Sequence, residues 1–414
     1  MLKLTHIAWP GIGGHFRELQ AFMRCAGPLS LDISIVFWGN QPPTPEIETE
    51  CARYGVPYQY VDKPKGWGLG SCLNVLRALV CFRPDVIIPH GAQIVLVAKL
   101  YQIIFGGTII TVETQANALK TAREVWLSQI SMLLSDRIVC LCDAYAAELS
   151  QICKKCYRES KVTVIPNGVD LEVFAPELRP STEDVFILGM HSRLVLWKDH
   201  RTLFYAMALL KEDKVRLRIA GDGFELKSLM TLADDLGISN SVEFLGALST
   251  NEVVDMLRSL DLYVHCTHGE SYCFSIMEAL ATGKAVVTSK VPVLNSTLSE
   301  LDFVFFHEPR SPESLASEIK RLVETRERLP GLAMAAREYA QRALDDRVMI
   351  RNYLELIGRV PGRCDVRRLS KVQELKTFVK SRCPLATKMY CRARAYIKAR
   401  RLRNEAPANV FGEL

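Results

Sequence analysis

Short apolar segments rich in β-branched residues recur along the chain, and each is followed by a segment of helical length. They are ISIVFW (33–38), DVIIPH (85–90), TIITVE (108–113), RIVCLC (137–142), VTVIPN (162–167), VFILGM (185–190), VRLRIAG (215–221), VEFLG (242–246), LYVHCT (262–267) and KAVVTS (284–289). Continuous apolar runs of this length indicate strands that are buried on both faces, with the crossover helices between them. The pattern predicts βα units and parallel sheets.

The length of 414 residues favours two domains, because a single compact core rarely grows that large. The only plausible break is FAPELRPSTED (174–184), which contains prolines and mixed charges. We expect an α/β fold with a first domain at 1–178 and a second at 179–345. A closing helix at 346–362 and a basic tail at 363–414 follow. Parallel sheets of this kind bind ligands beyond the carboxyl ends of their strands.

The composition is that of an ordinary globular protein, with 49% hydrophobic and 24% charged residues. No apolar run reaches the roughly 20 residues that span a bilayer. The chain opens on the strand-like segment LTHIAWP, with no basic region followed by an apolar one, so we do not expect secretion. Cys153 and Cys156 form a CKKC pair, but a structural zinc site needs about four ligands and no second pair matches it. We therefore expect thiols in a reducing cytoplasm.

The segment HGESYCFSIMEALATGKAVV (268–287) places two glutamates around the start of a predicted helix. In a structural interpretation, Ser275 is the N-cap, Glu278 reaches back to the Ser275 amide, and Gly283 takes the left-handed position after the helix. In a functional interpretation, Glu270 and Glu278 flank a strand-to-helix junction whose amides hold phosphate, and the carboxylates bind sugar hydroxyls. The segment alone supports both equally.

Two further strand ends carry residues suited to binding a phosphorylated ligand. In GMHSRLVLWKDHRTLFYAM (189–207), Arg193 and Lys198 lie in the loop between a strand and an amphipathic helix. They are either solvated charges or a clamp for a pyrophosphate. In IAGDGFEL (219–226), Gly221 belongs to a tight turn at another strand end.

A third glycine-containing loop, WPGIGGHFRELQAF (9–22), connects the first strand to a helix. Gly13 and Gly14 allow a ligand to approach the backbone closely. The loop is not the dinucleotide-binding fingerprint, because Phe16 occupies the place of the third glycine. Alone, this loop is weak support for a binding site.

Together, these segments resemble the family 4 glycosyltransferases, whose GT-B architecture has two Rossmann-like domains facing each other across a cleft. The resemblance covers roughly residues 1–345. It is most specific in VTVIPNGVDLEVFAP (162–176), in the loop at 189–200, in AGDGFEL, and in the glutamate pair separated by seven residues. It implies transfer of a sugar, with retention at the anomeric carbon, from a UDP-, GDP- or ADP-linked donor held mainly by the second domain.

The resemblance also implies roles for individual residues. Arg193 and Lys198 would neutralise the donor diphosphate, Glu270 would bind hydroxyls of the transferred sugar, and Glu278 would bind the ribose. Arg193, Lys198 and Glu270 are thus the expected catalytic residues. Further donor contacts are implied for Gly13, Gly14, Gly221, Phe274 and Ser275. Fixed cations and helix-terminal amides can stabilise a departing diphosphate, so we expect neither a metal nor another cofactor.

The chain departs from the family pattern after Glu270. The family usually has Gly-aromatic-Gly there, and this chain has Ser271-Tyr272-Cys273. The aromatic residue is kept, but the two replaced glycines narrow the space for the donor sugar or shift the backbone.

The acceptor side is less defined. The family often has a histidine after the strand that corresponds to TIITVE, and this chain has Glu113. Whether Glu113, Gln115 or Asn117 takes that role stays open. His90, at the end of DVIIPH, has a family counterpart and either faces the acceptor or is structural.

The net charge of +6 conceals a strongly basic tail, because fourteen Lys/Arg and two acidic residues fall between Arg363 and Arg403. The tail interleaves these charges with apolar residues. It is either a solvated helix pair packed on the domains, or a cationic surface (363–404) that binds anionic lipid headgroups. Nucleic acid is a weaker third alternative, because no recognition motif accompanies the charge. We expect an anionic membrane surface and no nucleic acid as partner.

The sequence therefore predicts a retaining glycosyltransferase that acts on a glycan or lipid-linked acceptor in surface polysaccharide or glycolipid assembly. We expect it in the cytoplasm, peripherally at the inner face of the cell membrane. One alternative is a GT-B-type nucleotide-sugar epimerase, which IPNGVD and ESYCFSIME disfavour. The other is a catalytically silent sugar-nucleotide-binding or scaffold subunit, which the replaced glycines and Glu113 favour. The donor base, the sugar and the acceptor stay open.

Overall fold

The computed structural model describes residues 1–11, 13–64, 68–177, 185–211 and 214–358. The basic tail at 363–414 and its expected membrane surface lie outside the described residues, as does most of the expected linker at 174–184. The domain bounds expected from the sequence stay a prediction.

Two parallel β-sheets form the framework. The first has seven strands in the order β3-β2-β1-β4-β5-β6-β7. Their bounds are β1 (Leu2–Ala8), β2 (Leu31–Gly39), β3 (Tyr58–Asp62), β4 (Val86–Pro89), β5 (Thr108–Val112), β6 (Arg137–Cys140) and β7 (Val162–Val164). The second has six strands in the order β10-β9-β8-β11-β12-β13. Their bounds are β8 (Phe186–His191), β9 (Val215–Ala220), β10 (Val242–Gly246), β11 (Leu262–His265), β12 (Val286–Ser289) and β13 (Val304–His307).

Helices connect these strands. In the described part of the chain they are α1 (Gly14–Cys25), α2 (Pro45–Arg53), α3 (Leu69–Phe82), α4 (Val95–Phe105), α5 (Ala122–Leu134), α6 (Asp143–Ile152), α7 (His200–Leu209), α8 (Leu226–Asp235), α9 (Thr250–Arg258), α10 (Phe274–Ala281), α11 (Pro292–Leu298), α12 (Pro312–Glu324), α13 (Leu329–Ala343) and α14 (Asp346–Gly358). The two Rossmann-like sheets confirm the predicted α/β class. None of the described helices is long and apolar enough to cross a bilayer.

The core of the second sheet shows why these segments fold as they do. In α12, Leu315, Ile319 and Leu322 recur at helical spacing and are buried. They join a core that also contains Leu188 of β8 and Leu217 of β9. An apolar stripe of this period on one helix face needs an apolar partner, and the buried strands provide it.

Each sheet reverses its strand order beside its first strand. In the first sheet β1 pairs with β2 on one side and with β4 on the other. In the second sheet β8 pairs with β9 and with β11. Connections leave such a strand pair in opposite directions, so a crevice opens at the carboxyl ends, and ligands of open α/β sheets bind there.

The chain divides into two compact units. The first consists mainly of Met1–Glu113 and Leu127–Ile138, and the second of Thr114–Trp126 and Val139–Glu355. Within the second unit, the Arg337 guanidinium donates to the carbonyl oxygens of Leu171, Phe174 and Ala281 at 2.7–3.0 Å. This residue attaches the end of the family-like 162–176 segment to the end of α10.

Candidate active site

The expected donor-binding residues of the second unit follow neighbouring strands. Arg193 and Lys198 lie between β8 and α7, Glu270 lies between β11 and α10, and Gly221 follows β9. Because β9, β8 and β11 are adjacent and parallel, these residues leave the same edge of the sheet, at the reversal of strand order. The loop Val195–Asp199 also contacts the loop after β11: the Trp197 carbonyl accepts hydrogen bonds from the His268 amide (2.8 Å) and the Thr267 hydroxyl (3.1 Å).

Lys198 and Glu270 form a direct ion pair in this edge. Lys198 Nζ lies 2.5 Å from Glu270 Oε1, and both side chains are largely buried. His265, the last residue of β11, places its Nε2 atom 3.0 Å from the same oxygen. Two side chains, one from the loop after β8 and one from the end of β11, therefore converge on a single carboxylate oxygen of Glu270.

The protonation states of this group follow from burial and charge. Burial alone would raise the pKa of Glu270, but the Lys198 charge and hydrogen bonds from His265 and Lys198 outweigh it and lower the pKa to about 2. Burial would lower the pKa of Lys198, but Glu270 raises it above its usual value. Burial and then the Lys198 charge lower the pKa of His265 to about 4. At neutral pH the group is a carboxylate, an ammonium and a neutral imidazole.

The second glutamate has a different partner from the one expected in the structural interpretation. Glu278 Oε2 lies 2.8 Å from Nε2 of His191, the last residue of β8. The capping box of the structural interpretation is wrong, because the N-cap of α10 is Cys273, two residues before Ser275, and it has no side-chain cap. Gly283 does adopt the left-handed conformation after the helix, with φ 71°. Glu278 thus connects α10 to the end of the strand that precedes Arg193 and Lys198.

Phe274 and Ser275 are the first two residues of α10. Their amides belong to the helix N-terminus, which carries partial positive charge and donors available to an anion. The loop before them is fixed by hydrogen bonds within the second unit. Ser271 Oγ donates to the Thr114 carbonyl at 2.8 Å, and the Tyr272 hydroxyl donates to the Asn167 carbonyl at 3.1 Å. The two polar residues therefore hold the loop where the family has a glycine and an aromatic residue.

Arg193 and Gly221 lie close to the same turn. The Arg193 guanidinium is 5.7 Å from the Trp197 ring centroid, an arrangement that favours a cation over the ring face. Gly221 has φ +136°, and a Cβ atom there would lie 1.9 Å from the Ser192 carbonyl oxygen. Only glycine lets the ends of β8 and β9 approach this closely.

The group that includes Cys273 also offers potential metal ligands. His265 Nε2, a Glu270 carboxylate oxygen and Cys273 Sγ lie within 4.8 Å of one another. Burial and the Glu270 charge raise the pKa of the Cys273 thiol to about 12, so the sulfur is protonated at neutral pH. A divalent ion would have to displace that proton and compete with Lys198 for Glu270. Metal independence stays a prediction.

The remaining expected residues each have local partners. In the first unit, Gly13 is the N-cap of α1 and Gly14 its first residue. His90 Nε2 lies 3.0 Å from His6 Nδ1, and buried Glu113 accepts a hydrogen bond from Ser128 at 3.2 Å. In the second unit, Asn117 donates to the Tyr145 carbonyl and to Glu148, both at 3.4 Å. Acceptor contacts for His90, Glu113 and Asn117 stay a prediction.

Sequence reasoning missed His265 and His191, the two histidines that hold the glutamates. Each is the last residue of a strand that was predicted correctly, β8 or β11, and an expected site residue follows in the next loop. A polar residue at the carboxyl end of an apolar strand, where ligands bind, is the signal that would have identified them.

This architecture, two Rossmann-like sheets with polar residues at the strand ends, is that of the GT-B glycosyltransferases. The structure of Anabaena HepE, solved with UDP and glucose, superposes with a TM-score of 0.74 over 87% of this chain and all of that chain, at 16% identity. A glycosyltransferase from Rickettsia africae superposes with a TM-score of 0.73, at 17% identity. These similarities establish the fold.

The sequence comparisons define the family. The family model "Glycosyltransferase Family 4" matches residues 30–173, and "Glycosyl transferases group 1" matches residues 172–342. The chain belongs to the family 4 glycosyltransferases and is a glycosyltransferase. A phosphatidylinositol N-acetylglucosaminyltransferase subunit of Arabidopsis thaliana is 21% identical, over 78% of this chain and 74% of that protein. Several other curated relatives are matched over half of their length or less.

Proposed function

We propose that this chain transfers a sugar, with retention at the anomeric carbon, from a nucleotide-sugar donor to a lipid-linked or glycan acceptor in glycolipid or surface-polysaccharide assembly. The observation that carries the proposal is the Lys198–Glu270 ion pair at the strand-order reversal of the second sheet. There, one cation and one carboxylate are available to a ligand that has both phosphates and hydroxyls.

Each group has a defined task in this reaction. An acceptor hydroxyl oxygen forms a bond to the anomeric carbon while the bond from that carbon to the diphosphate oxygen breaks. The hydroxyl proton leaves with the diphosphate or with solvent. Lys198 and Arg193 stabilise the charge that grows on the leaving diphosphate, and Glu270 orients the sugar through its hydroxyls. Glu278 binds the ribose, and the amides at the start of α10 add donors for phosphate.

The acceptor class is supported by the relatives. A 23% identical Escherichia coli protein, matched over 70% of this chain and 80% of its own length, is named UDP-Gal:alpha-D-GlcNAc-diphosphoundecaprenol alpha-1,3-galactosyltransferase. The Arabidopsis relative is named for a phosphatidylinositol acceptor. Both names describe a sugar acceptor carried by a lipid. Among UDP, GDP and ADP donors, UDP is the first to test, because the HepE structures contain UDP or UDP-glucose.

The test is turnover of radiolabelled UDP-, GDP- and ADP-sugars by the full chain, with polyprenyl-diphosphate sugars and phosphatidylinositol as acceptors. Lys198→Ala is expected to lower kcat at least 100-fold, since loss of one group that stabilises transition-state charge costs about 10²–10³ in rate. Arg321→Ala is the matched control, because Arg321 also pairs with a carboxylate, at 2.6 Å, but on the exposed surface of α12.

Three outcomes would contradict the proposal. Donor binding without any turnover would indicate a catalytically silent protein. Equal kcat values for Lys198→Ala and Arg321→Ala would show that Lys198 has no catalytic role. An inverted anomeric configuration, read from the proton coupling of the new linkage by NMR, would refute retention.

A further inference from the structure

Helices α3 and α4 of the first unit carry an unusual number of exposed large apolar side chains. Leu69 and Leu73 on α3 are 84% and 52% exposed. On α4, Leu96, Leu100 and Ile103 are all exposed, and Ile103 reaches 72%. Within each helix these residues are three or four positions apart, so they form a stripe along one face.

The two stripes lie side by side. The opposite faces of both helices enter one core, to which α3 contributes Val75 and Leu79 and α4 contributes Val97 and Tyr101. The helices also pack directly against each other. Because both bury one face against the same sheet, their outer faces point away from that sheet together. Isolated exposed leucines are common, but a contiguous group on adjacent helices marks an interaction surface.

The charges on these helices have one sign. Neither Leu69–Phe82 nor Val95–Phe105 contains an aspartate or a glutamate. Their cations are Arg77 and Lys99, and the hydrogen bonds described for these two side chains go to neutral partners: Arg77 donates to Asn74 Oδ1 at 2.9 Å and Lys99 to Gln102 Oε1 at 2.7 Å. An apolar stripe with cations and no acids is complementary to the headgroup region of an anionic bilayer.

We propose that the outer face of α3 and α4 is a docking surface for an anionic lipid bilayer. The side chains of Leu69, Leu73, Leu100 and Ile103 enter the boundary between headgroups and acyl chains, while Arg77 and Lys99 contact the lipid phosphates. With 14 and 11 residues, the helices lie on the membrane and do not cross it. The inference rests on the proposed function, because a lipid-linked acceptor has to be met at a membrane surface.

The experiment is co-sedimentation of the full chain with phosphatidylcholine vesicles that contain about 30% phosphatidylglycerol, an anionic lipid that attracts cationic surfaces. We expect the variant Leu73→Gln/Ile103→Gln to lower the partition coefficient at least tenfold, and Arg77→Gln/Lys99→Gln to lower it severalfold and reduce its salt dependence. Leu209→Gln/Met334→Gln is the matched control, since these residues are 56% and 66% exposed on α7 and α13 of the second unit. This control variant is expected to bind vesicles as the parent does.

Two results would overturn the inference. One is unchanged vesicle binding by Leu73→Gln/Ile103→Gln, which would leave the basic tail or another surface as the membrane contact. The other is a parent dimer that this variant converts to a monomer while vesicle binding persists, which would assign the face to a second copy of the chain. Vesicle binding is measured without donor or acceptor, so a failure of the proposed transferase activity would not alter it.

Discussion

Glu270 is held by a cation and a neutral imidazole that both contact the same oxygen. Lys198 and His265 each approach Oε1, at 2.5 and 3.0 Å. An ionised carboxylate only accepts hydrogen bonds, so Nε2 of the neutral His265 carries the proton. Two contacts to one oxygen restrict the orientation of the carboxylate, and under the proposed function Oε2 would take a sugar hydroxyl. We therefore propose His265 as a positioning residue that acts through Glu270.

Replacing His265 is expected to change the acid limb of the pH–rate profile. In His265→Ala the carboxylate loses a hydrogen bond, so the pKa of Glu270 rises from about 2 towards its ordinary value. A hydrogen bond to a charged group is worth about 1.5–3 kcal/mol, so kcat/KM should fall roughly 10- to 100-fold. Steady-state rates measured from acidic to neutral pH report both effects.

His265→Gln is the rescue control, because its amide can donate to the same oxygen. It should recover most of the rate and return the acid limb towards lower pH. If His265→Ala kept the parental pH profile while losing rate and thermal stability, the histidine would be a packing residue only.

Among individual residues, the sequence predicted the charged site residues but not the histidines that contact them. Lys198, Glu270 and Glu278 were predicted because they follow strands whose carboxyl ends lie at the same edge of a parallel sheet. The contact between His191 and Glu278 joins residues that are distant in sequence and depends on which strands are neighbours. The contact between His265 and Glu270 is local but depends on how the loop after β11 folds back. The capping-box hypothesis used a local pattern, and the tertiary hydrogen bond to His191 prevailed over it.

Among the secondary-structure elements, the ends of β8 and β9 determine the geometry of the site. Gly221 and Gly223 pass so close to the loop after β8 that a Cβ would lie 1.9 Å from the Ser192 oxygen and 2.2 Å from the Leu194 oxygen. The Leu194 amide and the Asp222 carbonyl add a hydrogen bond of 2.9 Å. The segment that carries Arg193 is therefore fixed by backbone contacts.

Gly221→Ala is expected to destabilise the second unit. The added methyl collides with backbone, and φ +136° is a region that side chains rarely adopt, so the cost should reach about 2 kcal/mol or more. A drop of several degrees in Tm, measured calorimetrically, would follow.

Gly331→Ala provides the comparison, because Gly331 lies in helix α13 with open space around its Cβ position. Its Tm should stay unchanged or rise slightly, since alanine is the better helix former. Identical Tm values for Gly221→Ala and the parent protein would contradict the close approach of these two strand ends.

The two strands that the sequence analysis missed, β3 and β13, are edge strands. In β3, the sequence YQYVD is mostly exposed and lacks the continuous apolar run of a strand covered on both faces. Strand β13 is only four residues long and half-buried at its centre. Apolar runs in the sequence identify central strands. Edge strands such as β3 and β13 bury less apolar surface, so their sequences show a weaker apolar pattern.

Across the whole molecule, buried neutral histidines connect stability to pH. Burial lowers the pKa of His6 in β1 to about 3. Burial, together with the Lys198 charge, lowers the pKa of His200 to about 3, and the pKa of His265 itself is near 4. Each is uncharged when folded and takes up a proton when unfolded at mildly acidic pH. The folded state is therefore favoured above about pH 6.5, and this contribution is lost as pH falls towards about 3–4.

The free energy of unfolding is accordingly expected to fall between about pH 7 and pH 5, by on the order of 2 kcal/mol for each such histidine. Urea unfolding at the two pH values measures the change. In His6→Asn, the change in the free energy of unfolding between pH 7 and pH 5 should be smaller than in the parent by about 2 kcal/mol, the contribution of one histidine. This expectation holds whatever the stability of the variant at neutral pH. A difference as large as the parent's would show that His6 does not titrate on unfolding.

At the level of the whole chain, the repeat of apolar runs was enough to predict an α/β fold with parallel sheets. The motifs at the strand ends carried the resemblance to the family 4 glycosyltransferases, and that resemblance implied the Rossmann-like domains. The identity of the acceptor could not be predicted, because the side chains expected on the acceptor side, such as Glu113 and Asn117, have local partners that are set by packing and not by a sequence pattern.

The Lys198–Glu270 contact has a consequence for which solutes the site admits. To bind the Lys198 ammonium, a small anion such as inorganic phosphate must displace the Glu270 carboxylate, which lies only 2.5 Å away. Such an anion has no group that would replace the ammonium as a partner of the carboxylate. Under the proposed function, a nucleotide sugar would bring phosphates for the lysine and hydroxyls for the glutamate, so both members of the pair would exchange one partner for another. The same two side chains that would serve transfer would thus also act as a filter against abundant phosphates that carry no sugar.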